Sequence, residues 1–300
     1  MKPGRFEYSA PGTVEETLQT LAELGPEGKV LAGGQSLIPI LNMRLATFPH
    51  LVDINRVTEL DTIEPAAGDA GGVRVGALAR HARVGHSAVT SRECPALAQA
   101  LRFVAHPAVK NRGTVCGALA HADPCSELPA ILALLGGSVE VAHAGQPVRV
   151  VPADGFFLGP LESALGPGDL VVAARFPGTA GRAGTAFCEV ARRHGDYALC
   201  AVGAVVTLDD DLRIVTARAA YVSVSPTPLV LDLTEAVAGR PASTANYAAA
   251  GRLARSAVSP EADIHASEEY RRELAAVLTE RALASAAHRA GAPSQGGVAA

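Results

Sequence analysis

The sequence has 300 residues, of which 48% are hydrophobic and 19% charged, with a formal net charge of −4 and a pI near 6.1. At roughly 150 residues per domain this length allows two domains, and the composition is that of a folded chain. With no overall basic field, 4% aromatics and no Trp, a nucleic-acid partner is not expected.

The five cysteines, Cys94, Cys116, Cys125, Cys188 and Cys200, are odd in number and include no C-x-x-C pair. This argues against a disulfide framework and against an iron–sulfur cluster in this chain. The N-terminal stretch MKPGRFEYSAPGT has no apolar signal core, and no run approaches the roughly 20 apolar residues of a membrane span. A cytoplasmic, unexported protein without a transmembrane segment is expected.

In chain order, Phe6 to Tyr8 reads as a strand, and Thr13 with Glu16 fits a capping box opening a helix stopped at Gly25-Pro26. Lys29 to Ala32 resumes as a strand and runs into Gly33-Gly34-Gln35-Ser36. A helix over Leu37 to Ala46 follows, with Ser36 as its cap. Leu51 to Ile54 and the alternating Val73 to Leu78 are strands, with a turn over Asp69 to Gly72. The spacing of Leu97, Leu101 and Val104 predicts one helix from Cys94 to His106. A polar loop then reaches Pro124, and a helix runs from Ser126 to Leu135.

Strands follow at Ser138 to His143, Pro147 to Val151 and Leu170 to Phe176. The run Gly178 to Gly184 lacks large apolar residues and is the candidate linker. Beyond it lie strands at Ala186 to Ala191, Tyr197 to Leu208 and Leu212 to Val224, then helices, the last capped by Ser267.

Two glycine loops carry the chemistry. The first, LAGGQSLIP at 31–39, ends a strand and opens a helix, so backbone N–H groups and the positive helix end can face one anion. It also fits a plain capped β-to-α turn. No Lys follows in the Walker position. The second, NRGTVCGALAHADPCSELP at 111–129, joins a glycine turn and the hydroxyl of Thr114 to Asp123 and Glu127. These acids suit ribose hydroxyls, or helix capping alone. Cys116, His121, Asp123 and Cys125 are metal-ligand types, but their spacing fits no standard zinc pattern. No G-x-S-x-G or H-E-x-x-H motif is present.

The segments LAGGQSLIPILNMRLATFPHLVDINRV at 31–57 and VKNRGTVCGALAHADPCSELPAILALLGG at 109–137 resemble the two signatures of the FAD-binding medium subunit of molybdenum hydroxylases. ARRHGDYALCAVGAVV at 191–206 and DIHASEEYRRELAAVLTERAL at 263–283 agree with them, so the likeness spans Phe6 to Leu283. It implies an α+β fold, with a p-cresol methylhydroxylase-like FAD-binding domain over 1–178. That domain divides into α/β subdomains of about 1–56 and 57–178. A smaller antiparallel sheet-plus-helix domain over 185–286 follows, then a flexible tail over 287–300.

The same resemblance implies non-covalent FAD, with its pyrophosphate held by Ala32, Gly33, Gly34, Gln35 and Ser36, flanked by Leu31 and Leu37. Thr114, Val115, Cys116, Gly117 and Ala118 form the opposing clamp. Asp123 and Glu127 approach the ribose or phosphates, and Leu170 and Val171 the adenine. Tyr197 lies near the isoalloxazine, or is an aromatic of the core. Cys116 stands where the family commonly has glycine, and a positive φ there would strain it.

The implied partners are a small [2Fe–2S] subunit and a large molybdenum-cofactor subunit, as a dimer of heterotrimers. NAD, a quinone or another acceptor takes the electrons. The alternatives are a free-standing FAD oxidase or dehydrogenase of a small alcohol or phenol, drawing on His81, His86 or His106, and a non-redox nucleotide-binding module.

Overall fold

A computed structural model describes residues 2–68 and 71–291. Asp69 and Ala70, within the expected turn, and residues 292–300 of the expected tail lie outside the described residues. The first layer is β1 (Glu7–Ser9), α1 (Val14–Leu24), β2 (Gly28–Leu31), α2 (Leu37–Met43) and β3 (His50–Asp53). Its three strands are parallel in the order β1-β3-β2. Thr13 caps α1 by accepting from Glu16 N at 3.1 Å, while the Glu16 carboxylate accepts from Gly12 N at 2.7 Å, one residue before the cap. Leu21 is buried, and Gly25, at φ +54°, stops the helix. α2 ends at Met43 and does not reach Ala46, because Arg44 turns left-handed and its amide bonds back to Leu41 O.

The second layer is β4 (Ile63–Pro65), β5 (Gly72–Gly76), α3 (His81–Gly85), α4 (Ala88–Glu93), α5 (Pro95–Ala100), α6 (Pro107–Lys110), α7 (Val115–His121) and α8 (Glu127–Leu134). It continues with β6 (Ser138–Ala142), β7 (Arg149–Pro152), α9 (Ala153–Phe156), β8 (Phe157–Gly159), β9 (Glu162–Ser163) and β10 (Leu170–Pro177). Five strands form an antiparallel sheet in the order β4-β5-β10-β6-β7.

The single helix expected over Cys94 to His106 is broken. Ser87 caps α4, Pro95 opens α5, and Cys94 between them, at φ −146° and ψ 72°, leaves the helical region that a following proline disfavours. The expected polar loop holds α7, whose Val115, Cys116 and Leu119 are buried.

The third layer is β11 (Ala183–Ala191), β12 (Ala198–Leu208), β13 (Ile214–Val222), β14 (Leu229–Asp232), α10 (Thr234–Val237), α11 (Thr244–Ala257) and α12 (Glu268–Arg289). Its antiparallel strands run in chain order. α12 crosses β11 so closely that a Cβ on Gly184 would sit 2.0 Å from Ala286 O. The helix continues to Arg289, and Ala287 and Ala290 are buried, so 287–290 belong to the packed structure and not to a tail.

The opposite face of this sheet rests on α8: a Cβ on Gly203 would meet Ile131 Cδ1 at 3.0 Å. One apolar core therefore runs from the five-stranded sheet through α8 to Phe187, Ala201 and Ala220. Among the described residues no helix is long and apolar enough to cross a membrane.

The second sheet buries one charge. Glu140 on β6 accepts from Arg74 at 2.7 and 3.1 Å and from Arg175 Nε at 2.5 Å. Burial pushes this carboxyl up, but the hydrogen bonds from the two arginines outweigh it and hold Glu140 below its ordinary value. A depressed carboxylate stabilises the fold above its unfolded value, and that contribution is lost as the pH falls through the folded value. Glu140→Gln should cost about 1–3 kcal/mol in urea unfolding at neutral pH, less than a fully buried pair because both arginines reach solvent. The gap to wild type should shrink as the pH drops below about 4.

Candidate cofactor-binding site

The two glycine loops touch. A Cβ on Gly33 would sit 2.5 Å from Arg112 O and 2.8 Å from Gly113 Cα, so the first loop approaches the backbone of the second more closely than any other residue permits. Gly34 is required for a different reason, its φ of +74°. Beyond β2, the amides of Gly33, Gly34, Gln35 and Ser36 donate to no protein acceptor among the described residues. They precede α2 and are free for an acceptor from outside the chain. Ser36 does not cap α2: its backbone is helical and its hydroxyl accepts no cap bond, which leaves that hydroxyl unengaged.

A half-buried clip that sequence reasoning missed fixes the contact. Arg80 donates from Nη1 to Arg112 O at 2.6 Å and from Nη2 to Asn55 Oδ1 at 2.5 Å. Asn55 Nδ2 donates to Ala32 O at 2.9 Å and to Asp53 Oδ1 at 2.5 Å. One guanidinium thus joins the first loop, through Asn55, to the second. Burial and the neighbouring Arg112 lower the Arg80 pKa, although guanidinium stays charged at any ordinary pH. Asn55 lies within the first signature segment, but its partner Arg80 is 25 residues away and nothing local marks it.

The second loop continues the pairing. His81 N donates to Gly113 O at 2.9 Å, and Thr114 bridges to Arg80. The His81 ring is buried beneath this loop and pushed down to about 4 by burial, so it is neutral. Thr114 caps α7, its Oγ1 accepting from Gly117 N at 3.1 Å and keeping its own proton to donate. A Cβ on Gly117 would lie 2.6 Å from that oxygen, so this glycine serves the cap.

Cys116 sits in α7 and is absent from the positive-φ residues, so the feared strain does not arise. Its thiol is buried against Val75 O at 3.4 Å, and burial raises it to about 12. Val115 is enclosed as well, at 0% exposure. These two residues can therefore offer a ligand their backbone but not their side chains. The same holds for Leu170, 1% exposed inside β10, with Val171 nearly as buried. Leu31, Ala32, Leu37 and Ala118 are half-buried around the loops, and Gln35 is exposed, with Nε2 donating to Gly33 O at 3.3 Å.

Asp123 Oδ1 accepts from Cys125 N at 2.8 Å, which is a turn-forming bond. Glu127 is buried in the first turn of α8 and pushed up to about 7 by burial, against a hydrogen bond from its own backbone amide, with a smaller push from Asp123. Tyr197 does not pack in the core: it is 70% exposed. Its phenol is raised by partial desolvation and by the acids Asp123, Cys125 and Glu127, which places it on the same side as the second loop's end. β12, which begins at the next residue, is held there by Ser223, whose amide donates to Pro124 O at 3.0 Å and whose hydroxyl donates to Ala198 O at 2.7 Å. Among the described residues no group of three or more His, Cys, Asp or Glu could hold a metal.

Residues 4–179 match the family described as FAD binding domain in molybdopterin dehydrogenase. The chain belongs to that family. Residues 185–286 match the CO dehydrogenase flavoprotein C-terminal domain. Over 291 residues, 97% of this chain and 97% of the relative, it is 37% identical to the 6-hydroxypseudooxynicotine dehydrogenase complex subunit alpha of Paenarthrobacter nicotinovorans. It is 36% identical to caffeine dehydrogenase subunit beta of a Pseudomonas species, over 96% of this chain and 97% of the relative.

Among solved structures, a carbon monoxide dehydrogenase of Hydrogenophaga pseudoflava, lacking the Mo-pyranopterin moiety of its molybdenum cofactor, superposes with a TM-score of 0.89. Identity there is 33%, over 96% of this chain and 99% of that one. This flavoprotein chain is thus a medium, FAD-carrying subunit of the molybdenum hydroxylase family and part of an oxidoreductase.

The clip makes a measurable claim. Gly33→Ala must push the loops apart, and Arg80→Met removes their bridge, so each should weaken FAD binding about ten-fold or more, roughly 1.4 kcal/mol. Fluorescence titration with FAD reads this directly. Gly155→Ala, where a Cβ meets nothing within 4 Å, should bind FAD as wild type does.

Proposed function

We propose that this chain is the electron-relay subunit of a three-component molybdenum hydroxylase, holding FAD between its two glycine loops. The observation that carries this reading is the contact of Gly33 with Arg112 and Gly113, beside amides that have no protein partner among the described residues. An FAD pyrophosphate is an anion that such paired loops suit.

In this reading the amides of Ala32 to Ser36 and the free Ser36 hydroxyl bind one phosphate. Thr114 to Ala118 bind the other through the α7 amides and the Thr114 proton. Asp123, from the loop, and Glu127, in the first turn of α8, approach the ribose or phosphate region. The backbone of Leu170 and Val171 borders the adenine. Tyr197, exposed at the opening of β12, covers one face of the ring system and limits what reaches it. Bound FAD supplies the exchange between one-electron and two-electron transfer.

Electrons arrive from a small subunit with [2Fe–2S] clusters, after substrate oxidation on a large molybdenum subunit. They leave to NAD, a quinone or another acceptor. The relatives' names as subunits of dehydrogenases support this division of labour. A dimer of heterotrimers is the assembly proposed.

The full-length chain should acquire a flavin absorption spectrum on reconstitution with FAD. Its melting temperature should rise with FAD concentration, by roughly 2.7 kcal/mol of stabilisation at a hundred times the dissociation constant. It should hydroxylate nothing by itself and should co-purify with two further subunits when expressed from its native locus. Substrate turnover by the isolated chain would establish the free-standing oxidase instead.

A further inference from the structure

Two acidic side chains face the seam between the FAD-binding domain and the C-terminal sheet. Glu127, Ile131 and Leu134 follow the i, i+4, i+7 spacing along one face of α8. Ile131 and Leu134 lie 3.0 and 3.3 Å from where a Cβ on Gly203 would stand, beside Phe187 at 3.4 Å. On β11, Glu189 is two residues beyond Phe187 and so points to the same face. In register it stands opposite Ala201, as Phe187 stands opposite Gly203. Both carboxylates are thereby directed into an apolar seam that neither domain encloses alone.

Neither acid has an ion-pair partner among the described residues. Glu189 Oε2 is buried with no hydrogen bond, and Glu127 is 8% exposed. The charged and titratable groups around them are Asp123, Cys125 and Tyr197 on the loops, Lys110 on α6 and Cys200 on β12. The Lys110 ammonium is bonded to Leu101 O at 3.3 Å. Arg271 of α12 reaches Cys125 and Cys200, but its guanidinium is taken by Leu199 O, Ser223 O and Asp263. Burial, then the charge of Glu127, pushes Glu189 up to about 8, as burial pushes Glu127 to about 7.

We propose that Glu127 and Glu189 act as one proton-binding site, which takes up a proton from water when the cofactor beside it is reduced. This rests on the placement of FAD proposed above. The electrons, from the partner's clusters, stay on the flavin, and the proton forms the O–H bond of a carboxylic acid in the seam. Negative charge gained by the ring raises the proton affinity of the pair. By reciprocity, a proton on the pair raises the electron affinity of the ring. Glu189 thus acts as a positioning residue for charge and does not touch the reacting atoms.

Glu189→Gln separates the parts of this claim. In the FAD-loaded full chain, midpoint potentials of wild type and E189Q should coincide near about pH 6. They should part above about pH 8, with the variant higher because it lacks one buried negative charge. In the FAD-free chain, a carboxyl raised in the folded state loses stability as pH rises from its unfolded value to its folded one. E189Q should therefore gain melting temperature on wild type between about pH 5 and about pH 8.

If no such gain appears, the acid pair does not exist as described. If the gain appears but the potential curves stay parallel, the redox coupling is wrong. Failure of the wild-type chain to bind FAD would overturn the cofactor site, while the melting series would still report on the pair.

Discussion

The structure depends on one close approach, the packing of Gly33 against the backbone of Arg112 and Gly113. It joins the three-stranded parallel layer to the five-stranded antiparallel one at the place where each delivers a helix start. No side chain fits between them, and the Arg80 and Asn55 bonds satisfy the carbonyls that the approach would otherwise strand. A guanidinium suits this because its rigid fork reaches two acceptors at once. The unpartnered amides that follow are then held in place before any ligand arrives, which reduces the ordering cost of binding.

The C-terminal sheet has a related task. It covers α8 and fastens the end of the second loop through Ser223 and Pro124. Arg271 supports that fastening: it is buried and donates to Leu199 O and Ser223 O while pairing with Asp263. Two of the recognised segments, those around Tyr197 and around Arg271, are therefore one device. One supplies the strand and exposed aromatic, and the other supplies the cation that holds the strand's carbonyls.

Buried charge is handled in two opposite ways. Glu140 is matched by two arginines and kept ionised. Glu127 and Glu189 have no ion-pair partner among the described residues and are pushed toward their neutral forms. The first arrangement fixes three neighbouring strands. The second stores a tendency to bind protons in the seam next to the loops, and perturbed carboxyls of that kind concentrate at working sites.

The sequence by itself determined the element order through β3, the two glycine loops and the final capped helix. In each of these the signal is local: a cap, a turn glycine or an alternating apolar run. It did not determine the break at Cys94, where Pro95 outweighs a helical apolar spacing, nor α7 within an apparent loop. Only the tertiary structure decided that Gly33 exists for the other loop, that Gly117 serves the Thr114 cap and that Cys116 turns into the core. It also paired Arg80 with Asn55 and Glu127 with Glu189. Those relations join residues 25 to 62 positions apart, and they are set by which surfaces pack together, which no local pattern of residues encodes.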